Sequence, residues 1–492
     1  MSEEQKESRQ GSGEDDLLGR KPVSRREFLK LAGVAGAAVG VGAGLGGLVA
    51  ACGGAEETTT TAGPTTTAAA STTTTAASTT TVTAAPEMGR EIKVGVISPL
   101  TGIIAVFAVA DRWGIDMVKE FVGDELVLGD GKLHKVSWLL RDTQSDDNRA
   151  SQVTSDLILN EKADLLIVGG APTTAVPAAV QAETLGCPLL GTNCPWQAWV
   201  FGRGLTLETR EKWVFGTLFG IEQGTAAMIQ VLDKIPTNKK AGLFLGNTID
   251  TDAWLAPEIG MDSMLQKAGY EYILPSKFNL GTEDFSDLIS AYKKFGCEIN
   301  CGSNPGKDFP NFWTQCAQQG YKPKACVEMI GLSATEDQIA MGKSAFGIIQ
   351  IFTWHADWPY VDPITGMNCR ELADRYEADL GKPWDQFITG YMRSGWALDV
   401  LKRTKDLDDK ESILEAIRTA KMDTILGPVD FTQTPDPAGQ LITPNIYKSA
   451  VALGQHRKGT KWPVETPMVA VVDAPGVTEA DLVQPVVIDW GA

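Results

Sequence analysis

The chain has 492 residues, with 44 Lys and Arg against 62 Asp and Glu, giving a formal charge of −18. That acidity, with no basic stripe past the N-terminal region, excludes a nucleic-acid binder, because phosphate contacts need clustered Lys and Arg. A composition of 43% hydrophobic and 22% charged residues can bury a sizeable core, and three histidines (His134, His355, His456) are too few for a His-rich metal set.

The N-terminus reads as an address, not a fold. A polar stretch leads to Ser24-Arg25-Arg26-Glu27-Phe28-Leu29-Lys30, and an uncharged run rich in Ala, Gly and Val follows over 31–51. Paired arginines ahead of an apolar segment mark bacterial export, here of the twin-arginine type, with Arg25 and Arg26 as the pair. The run ends at Val49-Ala50-Ala51-Cys52-Gly53, which resembles a lipobox. That resemblance implies cleavage before Cys52 and a diacylglycerol on its sulfur, and two acyl chains suffice for stable anchoring. A retained span is the alternative reading of the run, since about 20 residues can cross a bilayer. The signal is assigned to residues 1–52 and a linker to 53–89. From Glu56 to Pro86 the linker is almost all Thr, Ala, Ser and Pro, so no apolar pattern offsets the entropy of ordering it. As a flexible coil it would hold the next domain on the order of 30–40 Å from its anchor. Gly42-Ala43-Gly44-Leu45-Gly46-Gly47 fits G-x-G-x-x-G, but it lies inside the export segment with no βαβ unit after it.

From Arg90 onward the pattern changes. Short β-forming apolar runs recur at 92–97, 136–140, 163–168, 188–190, 241–245, 270–274 and 347–352. Segments with helical spacing lie between them, at 148–161, 174–185, 253–268 and 283–295, with Asp147 and Thr282 as expected N-caps. This alternation predicts an α/β protein with doubly wound parallel sheets. About 400 residues of it exceed one comfortable domain, so two lobes are expected. In such folds ligands sit at the C-terminal ends of strands. The segments there are 98–107, 169–174, 191–196, 246–254, 302–307 and 328–333, rich in Gly, Thr, Ser, Asn and aromatics. Those residue types suit holding a small molecule better than transforming it.

A search for reactive constellations supports that view. Neither G-x-S-x-G nor H-E-x-x-H occurs. Met341-Gly342-Lys343-Ser344 has the end of a phosphate loop, but Asp337 stands where the upstream glycine belongs, so it reads as a helix-to-strand turn. Seven cysteines follow Cys52, without zinc spacing. Export permits disulfides, with Cys187–Cys194 or Cys316–Cys326 as candidates, and an odd count leaves at least one thiol free. The acid pairs Asp146-Asp147 and Glu283-Asp284 sit at expected helix starts, where they complement the dipole. Three of the 13 tryptophans, Trp196, Trp254 and Trp354, fall at strand ends and are candidates for lining a pocket.

Four stretches, in order, resemble the type I periplasmic-binding proteins, specifically the branched-chain amino acid (Leu/Ile/Val) and amide group of ABC importers. They are IKVGVISPLTG at 92–102, Asp142 with 146–150, DFSDLI at 284–289 with Lys293-Lys294, and LGPVDF at 426–431. The resemblance implies two lobes joined by a three-crossover hinge, with the first at 90–208 plus 333–425 and the second at 209–332 plus 426–492. It implies that Ala171, Thr173 and Thr174 hold a ligand carboxylate, and that Asn193 and Trp196 belong to the next pocket loop. Phe107 falls at a pocket-aromatic position, Ser303 near another, and Glu328 within a residue of an ammonium-binding acid. Asp252, Trp254 and Trp354 complete the expected ligand-binding set.

The function expected is that of an extracytoplasmic lipoprotein that captures an unaltered small solute by hinge closure and delivers it to a membrane permease. No catalytic residue, cofactor, metal or nucleic-acid partner is expected, and the protein should act as a monomer. The solute would be a branched-chain or other amino acid, an amide or an aromatic acid. A sensor reporting to a separate receptor is the alternative.

Overall fold

A computed structural model describes residues 85–304 and 306–491. The expectations for Arg25, Arg26, Cys52 and most of the linker lie outside these residues. The strands of the first half are β1 (Ile92–Ser98), β2 (Glu125–Val127), β3 (Leu133–Asp142), β4 (Leu165–Val168), β5 (Leu189–Pro195) and β6 (Val214–Phe219). Then come β7 (Lys240–Phe244), β8 (Glu271–Ile273), β9 (Ile299–Gly302), β10 (Ala325–Glu328) and β11 (Ile348–Phe352). The C-terminal part adds β12 (Lys421–Thr424), β13 (Gly427–Asp430), β14 (Leu441–Thr443), β15 (Ile446–Lys448) and β16 (Val451–Gln455). The last are β17 (Arg457–Lys458), β18 (Val464–Glu465) and β19 (Met468–Val472).

Two sheets organise the chain. One has the order β14-β15-β6-β5-β4-β1-β3-β2, the other β19-β16-β11-β10-β9-β7-β8. The inner pairs are parallel, whereas β2, β14, β16 and β19 join antiparallel at or near the edges. Every residue of β4 is buried, as expected for a parallel strand covered on both faces. Val94 and Val96 of β1 pack with the helices Val109–Val122 and Thr389–Arg403. Ile97 points the other way, toward the helices Asp147–Leu159 and Pro172–Leu185.

Three crossovers join the lobes: from β6 through Gly220, from β11 through Thr353, and from β15 through Ser449 and Ala450. The sheet membership corrects the expected lobe boundaries. Val214–Phe219 belongs to the first lobe, not the second, Ile348–Phe352 to the second, and β14 and β15 to the first. The reason is register: β6 pairs with β5, and β11 with β10, so each strand completes a sheet before the chain leaves it. The linker also ends earlier than expected, because Met88 bridges Leu133 and Leu133 donates its N–H to Glu87 at 2.8 Å.

Local expectations meet specific corrections. Asp146, not Asp147, caps the helix Asp147–Leu159, accepting the Arg149 N–H at 2.7 Å. The helix after it in the second lobe starts at Ser286 with Phe285 at the cap position, so Thr282 is not a cap. The helical run at 253–268 is two helices, Ile249–Trp254 and Met261–Lys267, because Pro257 lacks the N–H a continuous helix needs. All seven described cysteines are free and buried, so neither proposed disulfide forms; Cys187 instead donates to the Ala163 carbonyl, and burial pushes its thiol up to about 12. The phosphate-loop likeness at 341–344 is the turn between the helix Thr335–Met341 and β11.

Candidate functional site: a cleft between the lobes

A cleft of about 760 Å³, counting the open space at its mouth, lies between the lobes. Its first-lobe wall comes from the C-terminal ends of β1, β3, β4 and β5, where parallel strands leave loops and helix starts facing out. After β1 the loop is stapled: Asp142 accepts the Thr101 hydroxyl at 2.7 Å, and Ser145 Oγ accepts the Ile104 N–H at 3.2 Å while donating to the Thr101 carbonyl at 2.6 Å. This fixes Ile103, Ile104, Phe107 and Ser145 at the cavity. Phe107 packs on Phe387 with ring centroids 4.6 Å apart.

Beyond β4, Gly170 takes φ +106°, which a side chain would strain, and lets the chain turn into the helix Pro172–Leu185. The start of that helix brings Ala171, Pro172 and Thr173 to the cleft. Beneath it, the Arg393 guanidinium comes so close to Gly169 that an added Cβ would meet Nη1 at 2.0 Å. Arg393 also donates to Thr192 Oγ1 at 2.8 Å and pairs with the buried Asp111, which in turn accepts from Ser98 Oγ. The ends of β1, β4 and β5 are thereby tied under the cavity floor.

Asn193 sits at φ +62°, a conformation Asn tolerates better than most residues. Its Oδ1 accepts the Thr353 hydroxyl at 2.7 Å, and Gln386 Oε1 accepts the Thr353 N–H at 3.0 Å. Its Nδ2 has no protein partner. That nitrogen is closed off from solvent, so it meets a ligand oxygen only if the side chain turns toward the cavity that the residue lines.

The second lobe contributes Thr248, Asp250, Leu280, Ile330 and Ile351. Thr248 caps the short helix Ile249–Trp254 by accepting the Thr251 N–H at 3.1 Å. Among the described residues, Asp250 is the one carboxylate on the cavity wall. Burial raises its pKa to about 6, although hydrogen bonds from Ser303, at 2.9 Å, and Trp254 draw it back down.

Of the residues expected at a ligand, Phe107, Ala171, Thr173 and Asn193 line the cavity. Seven others do not. Thr174 is fully buried one position further into its helix. Asp252 is exposed and pairs with Lys277, because two residues along a helix rotate a side chain by about 200°, leaving Asp250 on the cleft side. Ser303 is buried behind Asp250. Glu328 ends β10 under the 302–304 loop, where Oε1 accepts the Asn304 N–H at 2.7 Å; burial pushes its carboxyl well up, and Ile330 takes the cleft position.

The tryptophans fill cores. Trp196 donates to Glu222 Oε1 at 3.2 Å, Trp254 packs over Gly224, and Trp354 stands edge-on to Trp384. Lining residues outside the expected set include Ser145, Phe219, Thr248, Asp250, Ile330, Thr353, Gln386 and Phe387, and two cases show why. Asp250 lay inside a flagged strand-end segment. Gln386 and Phe387 arrive from a segment with no strand-end signal, delivered by the third dimension alone.

The chain matches the periplasmic binding protein family over residues 91–448 and a twin-arginine translocation signal over 22–42, which supports export. Three solved structures illustrate the likeness. A leucine-binding protein, LivK, from Thermotoga maritima is 21% identical with a TM-score of 0.62, over 78% of this chain and 100% of that one. A solute-binding protein of an ABC transporter from Rhodopseudomonas palustris, in complex with 3,4-dihydroxybenzoic acid, is 20% identical with a TM-score of 0.62, over 78% and 99%. LivJ from Streptococcus pneumoniae, in complex with isoleucine, is 16% identical with a TM-score of 0.60, over 77% and 99%. With most of its length matched and a cleft between two doubly wound parallel-sheet lobes, the chain belongs to the periplasmic binding protein family and has its type I fold.

Proposed function

We propose that this protein is the solute-capturing lipoprotein of an ABC importer, anchored through Cys52 on the extracytoplasmic side and acting as a monomer that hands its cargo to a membrane permease. The observation that carries this is the cleft: an apolar cavity whose polar groups come from both lobes and converge between hinged halves. A solute touching both walls stabilises the closed form by its differential affinity, and no covalent step is required. Phe107, Phe387 and Phe219 offer an apolar lining, the first two rings tilted by 51° to each other, while the Asn193 amide, once turned toward the cavity, and the helix start at Thr173 offer donors to a carboxylate. The solute classes that fit are amino acids and aromatic acids, the kinds bound by the Streptococcus and Rhodopseudomonas proteins.

A thermal-shift screen of amino acids, amides, ureas and aromatic acids tests the reading, because a ligand of the folded form alone raises its melting temperature. A screen with no hits, together with turnover of any solute, sinks it. The anchor has its own check. Metabolic labelling with a fatty acid should mark the wild-type protein and not Cys52→Ser.

A further inference from the structure

A second cavity lies back to back with the cleft. It spans about 530 Å³, counting the open space at its mouth, which is within the range that small ligands occupy. Its first-lobe side comes from the helix Cys369–Leu380 and the stretch 383–385, its second-lobe side from β11 and the β17–β18 hairpin. Side chains alternate along β11 and just past it, so Ile351 and Thr353 line the cleft while Gln350 and Phe352 line this cavity. The wall is aromatic: Trp384 stands tilted to Phe352 with ring centroids 5.7 Å apart, and Trp462 lines the hairpin side. Its charges are already matched. Lys461 bridges Asp374 and Glu377, Lys382 Nζ meets Asp385 at 3.2 Å, and Arg370 pairs with Asp357. Glu465 Oε1 accepts the N–H groups of Thr460, at 2.9 Å, and Lys461, at 2.8 Å. What remains open is neutral. Gln350 and Gln338 both line the cavity and are more than nine-tenths buried. Gln350 Oε1 is 3.1 Å from His456 Nε2, and Gln338 Nε2 donates to the Leu332 carbonyl at 2.6 Å. The other end of each amide, one donor and one acceptor, has no protein partner among the described residues, and neither is sealed from solvent.

We propose that this cavity is a second ligand site, separate from the cleft, for a neutral polyhydroxylated ring: a sugar or a cyclic polyol. A hydroxyl both donates and accepts, so neighbouring hydroxyls of one ring satisfy Gln350 Nε2 and Gln338 Oε1 together. The C–H face of such a ring packs on an indole, whose π-face is electron-rich. Asp374, half exposed at the rim, accepts a further hydroxyl. A charged solute gains less, because the counter-charges it needs are already paired within the protein. The assignment does not depend on what the cleft binds.

Calorimetric titration of the full chain with D-glucose, maltose, trehalose and myo-inositol tests this, on wild type, on Trp462→Ala and on the cleft variant Asn193→Ala. At least one of the four is expected to bind wild type in the millimolar range or tighter. Trp462→Ala should weaken that binding about 10-fold or more, because it removes a stacking face. Asn193→Ala, in the other cavity, should change it by less than about 2-fold. If none of the four binds, if Trp462→Ala leaves the affinity unmoved, or if Asn193→Ala costs as much as Trp462→Ala, the proposal is overturned. None of those results touches solute capture in the cleft. Should Trp462→Ala fail to fold, Asp374→Ala takes its place with a smaller expected loss of about 3-fold, and an unchanged affinity there overturns the proposal equally.

Discussion

The two walls of the cleft handle buried charge in opposite ways. Under the first-lobe wall, Asp111 is enclosed but answered: Arg393 pairs with it, Ser98 donates to it, and Thr192 receives the other arm of the guanidinium. In the second-lobe wall, Asp250 has neutral donors and no base. One acid is balanced inside the scaffold and the other is not. Burial alone does not separate a structural carboxylate from a functional one; whether the protein itself balances the charge does.

The most severe way to break the comparison is to unbalance the balanced side. Arg393→Met should destabilise the protein by about 3–5 kcal/mol, because Asp111 is then buried without its counter-charge. Urea denaturation of the ligand-free chain measures it, and a loss under 1 kcal/mol contradicts the role given to the pair.

On the unbalanced side the expected effect is smaller and depends on pH. The folded-state pKa of Asp250 lies above its unfolded value, at about 6, so the folded form holds the proton more tightly. Its contribution to ligand-free stability is then fully present below about pH 4 and declines as pH rises through 6. The decline should be about 1–2 kcal/mol, allowing for the side chain's contact with the cleft solvent. Asp250→Asn should flatten that segment of the stability curve; an unchanged slope between pH 4 and 7 would mean the group is solvated like any surface acid.

Thr353→Val sharpens the comparison at the hinge. It removes the hydroxyl that orients Asn193, at a cost of about 1 kcal/mol in stability, and it should weaken solute binding more than it lowers the melting temperature. The mildest change is Lys461→Ala. Lys461, on the second lobe's last hairpin, bridges to Asp374 at 2.9 Å and Glu377 at 2.5 Å on the first. Since the lysine is 55% exposed, its loss should cost about 0.2–1 kcal/mol, less at high salt. Small-angle scattering of the ligand-free protein should show a more open average, and an unaltered profile would exclude any role for the bridge in holding the lobes.

Most of the core strands were legible because their signal is local. The run at 92–97 became β1 with one added residue, and 347–352 became β11 short by one. The strand ends also pointed to the right loops, since Phe107, Ala171, Thr173 and Asn193 reached the cavity. The failures share a cause. Trp196, Trp254 and Trp354 sat at strand ends in sequence, yet each found a better-packed place in a core than in a water-filled gap. Asp252 was two residues from the acid that faces the cleft, and only the phase of a six-residue helix told them apart.

Composition, motif and periodicity by themselves determined that this chain carries an export address and, further on, alternating strands and helices whose loops hold small polar groups. Those properties follow from short-range sterics and hydrophobic spacing, which neighbours along the chain dictate. Which lobe each strand joins, where the three crossovers fall, and that Asp250 instead of Glu328 meets the cleft were decided only by the tertiary structure. Strand pairing and side-chain direction at a turn depend on contacts between segments far apart in sequence, and no local pattern records them.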